Sequence, residues 1–166
     1  RDATWQFTID VPPGWAIHHG FESSYLANGA WKTYAGPQSQ GTPVVALVVP
    51  GSNRITDAEI RIGVSKSAAE VGRCTAPPDA VRAGSLGHQA IDGVEFTTSA
   101  ASDAAMSHHL DVQSYRVVHD DTCYAIDLLV YGVNPQVFDP PATPPFSREQ
   151  AFIRMQPVLE SFRFTH

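Results

Sequence analysis

Lysine is scarce in this chain: Lys32 and Lys66 are the only two among 166 residues, and the nine arginines are scattered singly. The formal net charge is −6. A protein that follows a phosphate backbone needs clustered cations, so this charge pattern argues against an extended nucleic-acid-binding surface. We expect no nucleic-acid partner.

Long hydrophobic runs are also missing. No stretch approaches the roughly eighteen consecutive apolar residues that span a bilayer, and the chain opens at Arg1 without a hydrophobic signal region. We therefore expect no transmembrane segment and interpret the chain as the mature or trimmed form of an exported precursor. A lipid anchor upstream of residue 1 is compatible with this interpretation.

The common catalytic and nucleotide-binding motifs are missing too. The segment 83–87 lacks the first glycine of a G-x-S-x-G nucleophile elbow, and neither S-x-x-K nor a glycine-rich phosphate motif occurs. A triad of Ser114, Asp127 and a histidine is less consistent with the pattern than a polar sheet face on which Arg116 pairs with Asp127 at modest energetic value. We expect no enzymatic activity and no cofactor.

Cysteine occurs twice, at Cys74 and Cys123. Two thiols are too few for a zinc site of cysteines, and this pair is too far apart for a C-x-x-C redox motif. The pattern predicts one structural disulfide formed outside the cytoplasm, which would stabilise the fold by roughly 4 kcal/mol in the chain-entropy model. The alternative is two unrelated buried thiols. We expect a periplasmic or extracellular protein, with membrane anchoring as a lipoprotein as an option.

What the chain does contain is a series of strand patterns, alternating or continuously apolar, between turn residues. We expect strands at 5–11, 15–17, 24–26, 30–34, 43–50, 58–64, 87–91, 94–98, 110–118 and 123–131. The first two would form a β-turn-β unit, Asn28-Gly29 would close a hairpin, and 43–50 would lie centrally in the sheet. With a turn at Asp120-Asp121, Ser114 would face Asp127.

Two capping boxes predict helices. Ser67 and Glu70 would start a short helix that ends near Gly72. Ser147 and Gln150 would start a second helix, with Phe152, Met155, Val158 and Leu159 on one side and a kink or break at Pro157. The proline-containing stretch 133–145 is predicted to be a surface loop. The sum is one α+β domain over 1–166, a largely antiparallel sheet flanked by a short helix and a longer C-terminal helix.

Three segments carry a family resemblance. They are Phe7-x-Ile9-x-Val11-Pro12-x-Gly14-Trp15, Cys123-Tyr124-x-Ile126 and Ser161-Phe162-Arg163-Phe164. In this order the chain resembles the exported PsbP/Mog1-like and LpqN/DcrB-like bacterial domains. The resemblance implies an α/β/α sandwich found in envelope lipoproteins and in assembly or stability factors that work by binding. It carries no catalytic motif, and a shared fold by itself transfers no activity.

Histidines and aromatic residues supply the candidate binding groups. His109 and Asp111 share a strand face and, with His108, form the strongest candidate metal site, although exposed histidines at a strand end are the simpler interpretation. Trp5 is predicted to lie in the core. Three other aromatic residues are predicted as anchors for a partner, namely Trp31 as an exposed side chain beside the Asn-Gly turn, Tyr34 and Phe138.

Two functions follow from these patterns. The first is a binding or accessory protein of the cell envelope that engages another protein through an exposed sheet face or the 133–145 loop. The alternative is a small-ligand or metal carrier, or less plausibly a hydrolase, with a pocket between sheet and helix.

Overall fold

The computed structural model describes residues 1–22 and 30–165. Its largest element is a seven-stranded antiparallel sheet with strand order β2-β3-β4-β8-β7-β6-β5. These strands are β2 (Ala16–His19), β3 (Thr42–Val48), β4 (Thr56–Ser65), β5 (Gly87–Ile91), β6 (Val94–Ala105), β7 (His108–His119) and β8 (Thr122–Val133). With the helices α1 (Ala68–Gly72) and α2 (Arg148–Glu160), they confirm the predicted α+β class.

Strand β8 is the centre of the sheet, with three strands on each side. All residues from 122 to 130 are buried, because both faces of the strand are covered. The prediction that 43–50 lies centrally was wrong, since β3 lies one strand in from the edge. A continuous apolar run indicates burial on both faces but does not fix the order of strands.

Helix α2 covers one face of the sheet. The capping box at its start is confirmed, because Ser147 Oγ accepts a hydrogen bond from the Gln150 backbone N–H and Gln150 Oε1 accepts one from the Ser147 backbone N–H. The helix buries four side chains in the main apolar core: Ala151, Met155, Val158 and Leu159. Pro157 does not end the helix, which continues to Glu160.

The N-terminal alternation does not form the long strand it predicts. Only β1 (Phe7–Thr8) is extended, and it pairs with β9 (Arg163–Phe164) in a separate two-stranded sheet. Strand β2 pairs with β3, so the predicted β-turn-β unit is wrong. The apolar residues of 5–11 pack on the core instead, where Phe7 stacks on Phe162 with ring centroids 5.3 Å apart.

Some of the predicted turns and short elements are present in the structure and others are not. The hairpin turns at Asp92-Gly93 and Asp120-Asp121 are confirmed, with positive φ at all four residues. The predicted Asn28-Gly29 hairpin and its first strand lie outside the described residues, and 30–34 form bends and turns, not a strand. Helix α1 is confirmed, but the Ser67 side chain makes no capping hydrogen bond.

The stretch after β8 is largely irregular, as predicted. Strand β8 runs to Val133 and a single 3-10 turn covers Pro135–Val137. Within the described part of the chain, no helix is long and apolar enough to cross a membrane.

Candidate functional site: a polar cleft on the second face of the sheet

Residues 31–35 cover the sheet face opposite α2, and Trp31 packs closely against it. The absence of a side chain at Gly63 permits this contact, because a Cβ there would overlap the Trp31 carbonyl oxygen. A Cβ at Gly41 would likewise overlap the Trp31 ring. Trp31 is 0% exposed, so its prediction as an exposed anchor was wrong.

Asp127 of β8 fixes this covering segment to the sheet. Its Oδ2 accepts a hydrogen bond of 2.9 Å from the Thr33 backbone. Its Oδ1 accepts 2.7 Å hydrogen bonds from Ser114 Oγ and from Arg116 Nη2. The predicted pairing of Ser114 with Asp127 is confirmed, but the aspartate is 1% exposed, so the network is buried and not a weak surface pair.

A second ion-pair network joins the covering segment to α1. Glu70, 1% exposed, accepts hydrogen bonds from Lys32 Nζ at 3.0 Å and from the Arg73 guanidinium. Burial by itself would raise the pKa of Glu70, but hydrogen bonds from Arg73, Lys32 and Ser39 lower it to about 2. Burial lowers the pKa of Lys32, against the effect of the Glu70 hydrogen bond. Glu70 therefore works as a buried anchor between two cations.

The disulfide between Cys74 and Cys123 is present, as predicted. It links the residues after α1 to the start of β8, and both sulfur-bearing residues pack with Trp31 and Ala125. The covalent bond and the two ion-pair networks therefore hold the same irregular cover onto the same sheet face.

Between the cover and α1 lies a cleft of about 280 Å³. Its charged lining residues are Lys32, Glu70, Arg73 and Arg116. The rest of the lining comes from residues 33–39, Cys74, Ala76 and the prolines Pro77 and Pro78. Sequence reasoning missed Lys32 and Arg73 as site residues and assigned Glu70 to a capping box. The only available signal was the presence of one of two lysines in an aromatic segment.

The predicted metal ligands do not come together. Among the residues that the structure describes, no group of three or more His, Cys, Asp or Glu could hold a metal ion. His108 lies against the Tyr131 ring, with Nδ1 3.0 Å from the Met106 carbonyl oxygen. Asp111 instead accepts a hydrogen bond from Ser102 and contacts two arginines, Arg82 and Arg148. His109 lines a separate cavity near the start of α2.

The remaining aromatic candidates are half-buried. Trp5 packs against the main core, close to the predicted position. Tyr34 packs on Leu110, Val112 and Leu129 and also lines the cleft. Phe138 lies under the Arg54 guanidinium, 5.5 Å from the ring centroid. The partner-binding roles of Tyr34 and Phe138 stay predictions.

Comparison of the sequence with protein-family models and with curated proteins finds no match.

Proposed function

We propose that this chain is an exported, non-catalytic binding protein of the cell envelope that engages a protein partner at the polar cleft. The disulfide supports a periplasmic or extracellular compartment. Helices α1 and α2 on opposite sheet faces support the PsbP/Mog1-like α/β/α sandwich, which we include in the proposal. A lipid anchor upstream of residue 1 is part of the same proposal.

The observation that carries the proposal is that the charged groups of the cleft are already paired. Glu70 is held by Lys32 and Arg73, and Asp127 by Arg116. A general base must take up a proton near the working pH, and the hydrogen bonds that lower the pKa of Glu70 to about 2 make it a poor base. The Ser114 hydroxyl donates to Asp127, and among the described residues no histidine is bonded to either. The paired charges of the cleft are therefore suited to binding a group of the partner and not to activating it for a reaction.

The size and rim of the cleft favour a protein partner. At about 280 Å³ it is at the lower end of small-molecule sites, which are typically roughly 300–1,000 Å³, and suits one projecting side chain or chain end. Pro37 and Pro77 on its rim are exposed. Because proline fixes φ, this rim loses little conformational entropy when a partner docks on it.

Site-specific photocrosslinking in the native host tests this proposal. A photoreactive residue at Gln38, an exposed position of the cleft lining, should crosslink to one protein. The same residue at Ile153, 71% exposed on α2, is the matched control and should not crosslink to that protein. Crosslinking from Ile153 alone, or from neither position, would refute partner binding at the cleft.

A second candidate function is a small-ligand carrier. It is favoured by a cavity of about 340 Å³ between the sheet and α2, with Asp111, Arg148 and Phe152 among its lining residues. Native mass spectrometry of protein purified from its host should then show a retained small molecule. Replacement of Phe152 by Trp should release that molecule by filling the cavity, while an R73Q variant should retain it.

A further inference from the structure

The cleft is locally positive in a negatively charged protein. Its lining contains the three cations Lys32, Arg73 and Arg116 and the single carboxylate of Glu70. Asp127, bound to Arg116, adds one more negative charge and leaves a formal surplus of one positive charge. The whole chain carries −6. A cleft of opposite sign to its protein concentrates anions from solution.

Two of the cations have donor capacity to spare. An ammonium has three N–H donors and a guanidinium has five. Among the described residues, Lys32 Nζ donates one hydrogen bond, to Glu70, and lies 4.7 Å from the Trp31 ring centroid. Arg73 donates to Glu70 through Nη2 and its side chain is 55% exposed. Arg116 differs, because both of its terminal nitrogens are engaged by Asp127 and backbone carbonyls.

We propose that the cleft binds a carboxylate group, held by Lys32 and Arg73. This inference rests on the proposed function and specifies what the partner presents. The guanidinium fork matches the two oxygens of a carboxylate. Glu70 already bridges the same two cations, because one of its carboxylate oxygens accepts from Lys32 Nζ and the other from Arg73 Nη2. A single surplus positive charge balances one carboxylate but not a phosphate group, which carries close to two negative charges at neutral pH.

The carboxylate comes either from an acidic side chain of a protein partner or from a small molecule. Calorimetric titration of the oxidised full chain at low ionic strength separates these sources. The probes are propionate, its neutral analogue propionamide, sulfate, and an acetylated, amidated tetrapeptide with one glutamate. We expect a carboxylate probe to bind at least about tenfold more tightly than propionamide and sulfate. If the tetrapeptide binds and propionate does not, the carboxylate belongs to a partner chain.

Two arginine variants test whether the probe binds at Arg73. Replacement of Arg73 by Gln should weaken binding of the carboxylate probe about tenfold. Arg73 is half-exposed, so the fold should survive, which circular dichroism checks. The matched control is R154Q, which removes an exposed arginine on α2 that contacts Phe146 and the Pro50 carbonyl, and it should bind like the wild type.

The failure of this inference differs from the failure of the proposed function. Equal binding of sulfate and propionate, or an R73Q variant that binds as tightly as the wild type, would overturn the carboxylate assignment. No binding of any carboxylate probe, with the Gln38 crosslink still present, would overturn the inference and leave the partner function standing. Propionate binding without the crosslink would sustain the carboxylate site and overturn the partner function.

Discussion

On one face of strand β8, Tyr124, Ile126 and Leu128 join the apolar core under α2, whereas on the other face Asp127 is bound by Arg116 under an irregular cover. The two faces belong to the same strand and are equally buried. One is covered by the 13-residue helix α2 and the other by the irregular residues 31–35 together with the short helix α1. The irregular cover is held by directional contacts, namely the Asp127 and Glu70 hydrogen bonds and the disulfide, in addition to the apolar cluster around Trp31.

The physical reason lies in the directionality of the forces. Apolar burial depends on area and tolerates many arrangements of similar volume. A buried ion-pair network depends on geometry, and removal of one partner leaves another charge without compensation. The face of β8 that carries Asp127 should therefore be the more sensitive of the two to single substitutions.

Replacement of Asp127 by Ala gives the largest expected effect. The change leaves Arg116 as an unpaired buried charge and the Thr33 backbone without an acceptor. We expect a loss of about 3–5 kcal/mol in the free energy of unfolding, measured by urea denaturation. Amide exchange at Thr33 should become faster. The counterpart on the other face is M155A, which should cost about 3 kcal/mol by leaving a cavity.

The comparison fails if the two variants cannot be distinguished. M155A should leave amide exchange at Thr33 unchanged, because Met155 lies in the core under α2. A double variant with D127L and R116M should recover part of the loss, since it replaces both charges by apolar groups. Equal exchange at Thr33 in D127A and M155A would show that the faces respond as one unit.

Removal of the disulfide is expected to have the next largest effect. Cys74 and Cys123 are separated by 49 positions, and replacement of both by Ser should lower the free energy of unfolding by about 4 kcal/mol. Thermal melting of the oxidised wild type and the variant measures this. Because the chain-entropy model places this effect in the unfolded state, protection from amide exchange should fall throughout the sheet. Loss of protection confined to 31–35, the cover under which both cysteines pack, would contradict this expectation.

Substitution of Gly63 by Ala tests the close contact of the cover with the sheet. The added methyl group overlaps the Trp31 carbonyl oxygen, so the cover must shift, at an expected cost of about 2 kcal/mol. Trp31 fluorescence should change. Gly72 in α1 is the control, because a Cβ there meets nothing within 4 Å and G72A should be neutral or slightly stabilising. A G63A protein as stable as the wild type would refute the close packing.

The smallest expected effect is a dependence of the free energy of unfolding on pH. The pKa of Glu70 falls from its ordinary value of 4.5 to about 2 on folding, so its stabilisation is complete above pH 4.5 and is lost as the pH falls towards 2. Because Arg73 is half-exposed, we expect this loss in the free energy of unfolding to be only about 1–2 kcal/mol. An E70Q variant should lose this part of the pH dependence, and E95Q, at an exposed glutamate, should retain it.

Sequence patterns predicted the regular part of the fold well. The strands from β4 to β8 follow from alternating or continuously apolar stretches bounded by turn residues, although β6 continues to Ala105, beyond its predicted end at Thr98. Helix α2 follows from its capping box and apolar spacing. The N-terminal alternation at 5–11 failed because aromatic packing on Phe162 satisfied the same residues without a long strand. Alternation reports which side chains need burial but not the element that buries them.

The candidate site was much less predictable. Lys32, Glu70 and Arg73 are 38 and 3 positions apart, and no local pattern connects the lysine to the other two. Trp31 was expected at the surface because it follows an Asn-Gly dipeptide. Its burial depends on the space left by Gly63, a residue on another element.

By itself, the sequence determined the α+β class, the disulfide, the apolar run of β8 and the pairing of Ser114 with Asp127. These depend on local periodicity and on contacts between neighbouring strands. Only the tertiary structure decided that 31–35 cover the second sheet face and that three cations meet beside Glu70. That arrangement depends on contacts between distant segments without regular structure, which no repeating pattern in the chain encodes.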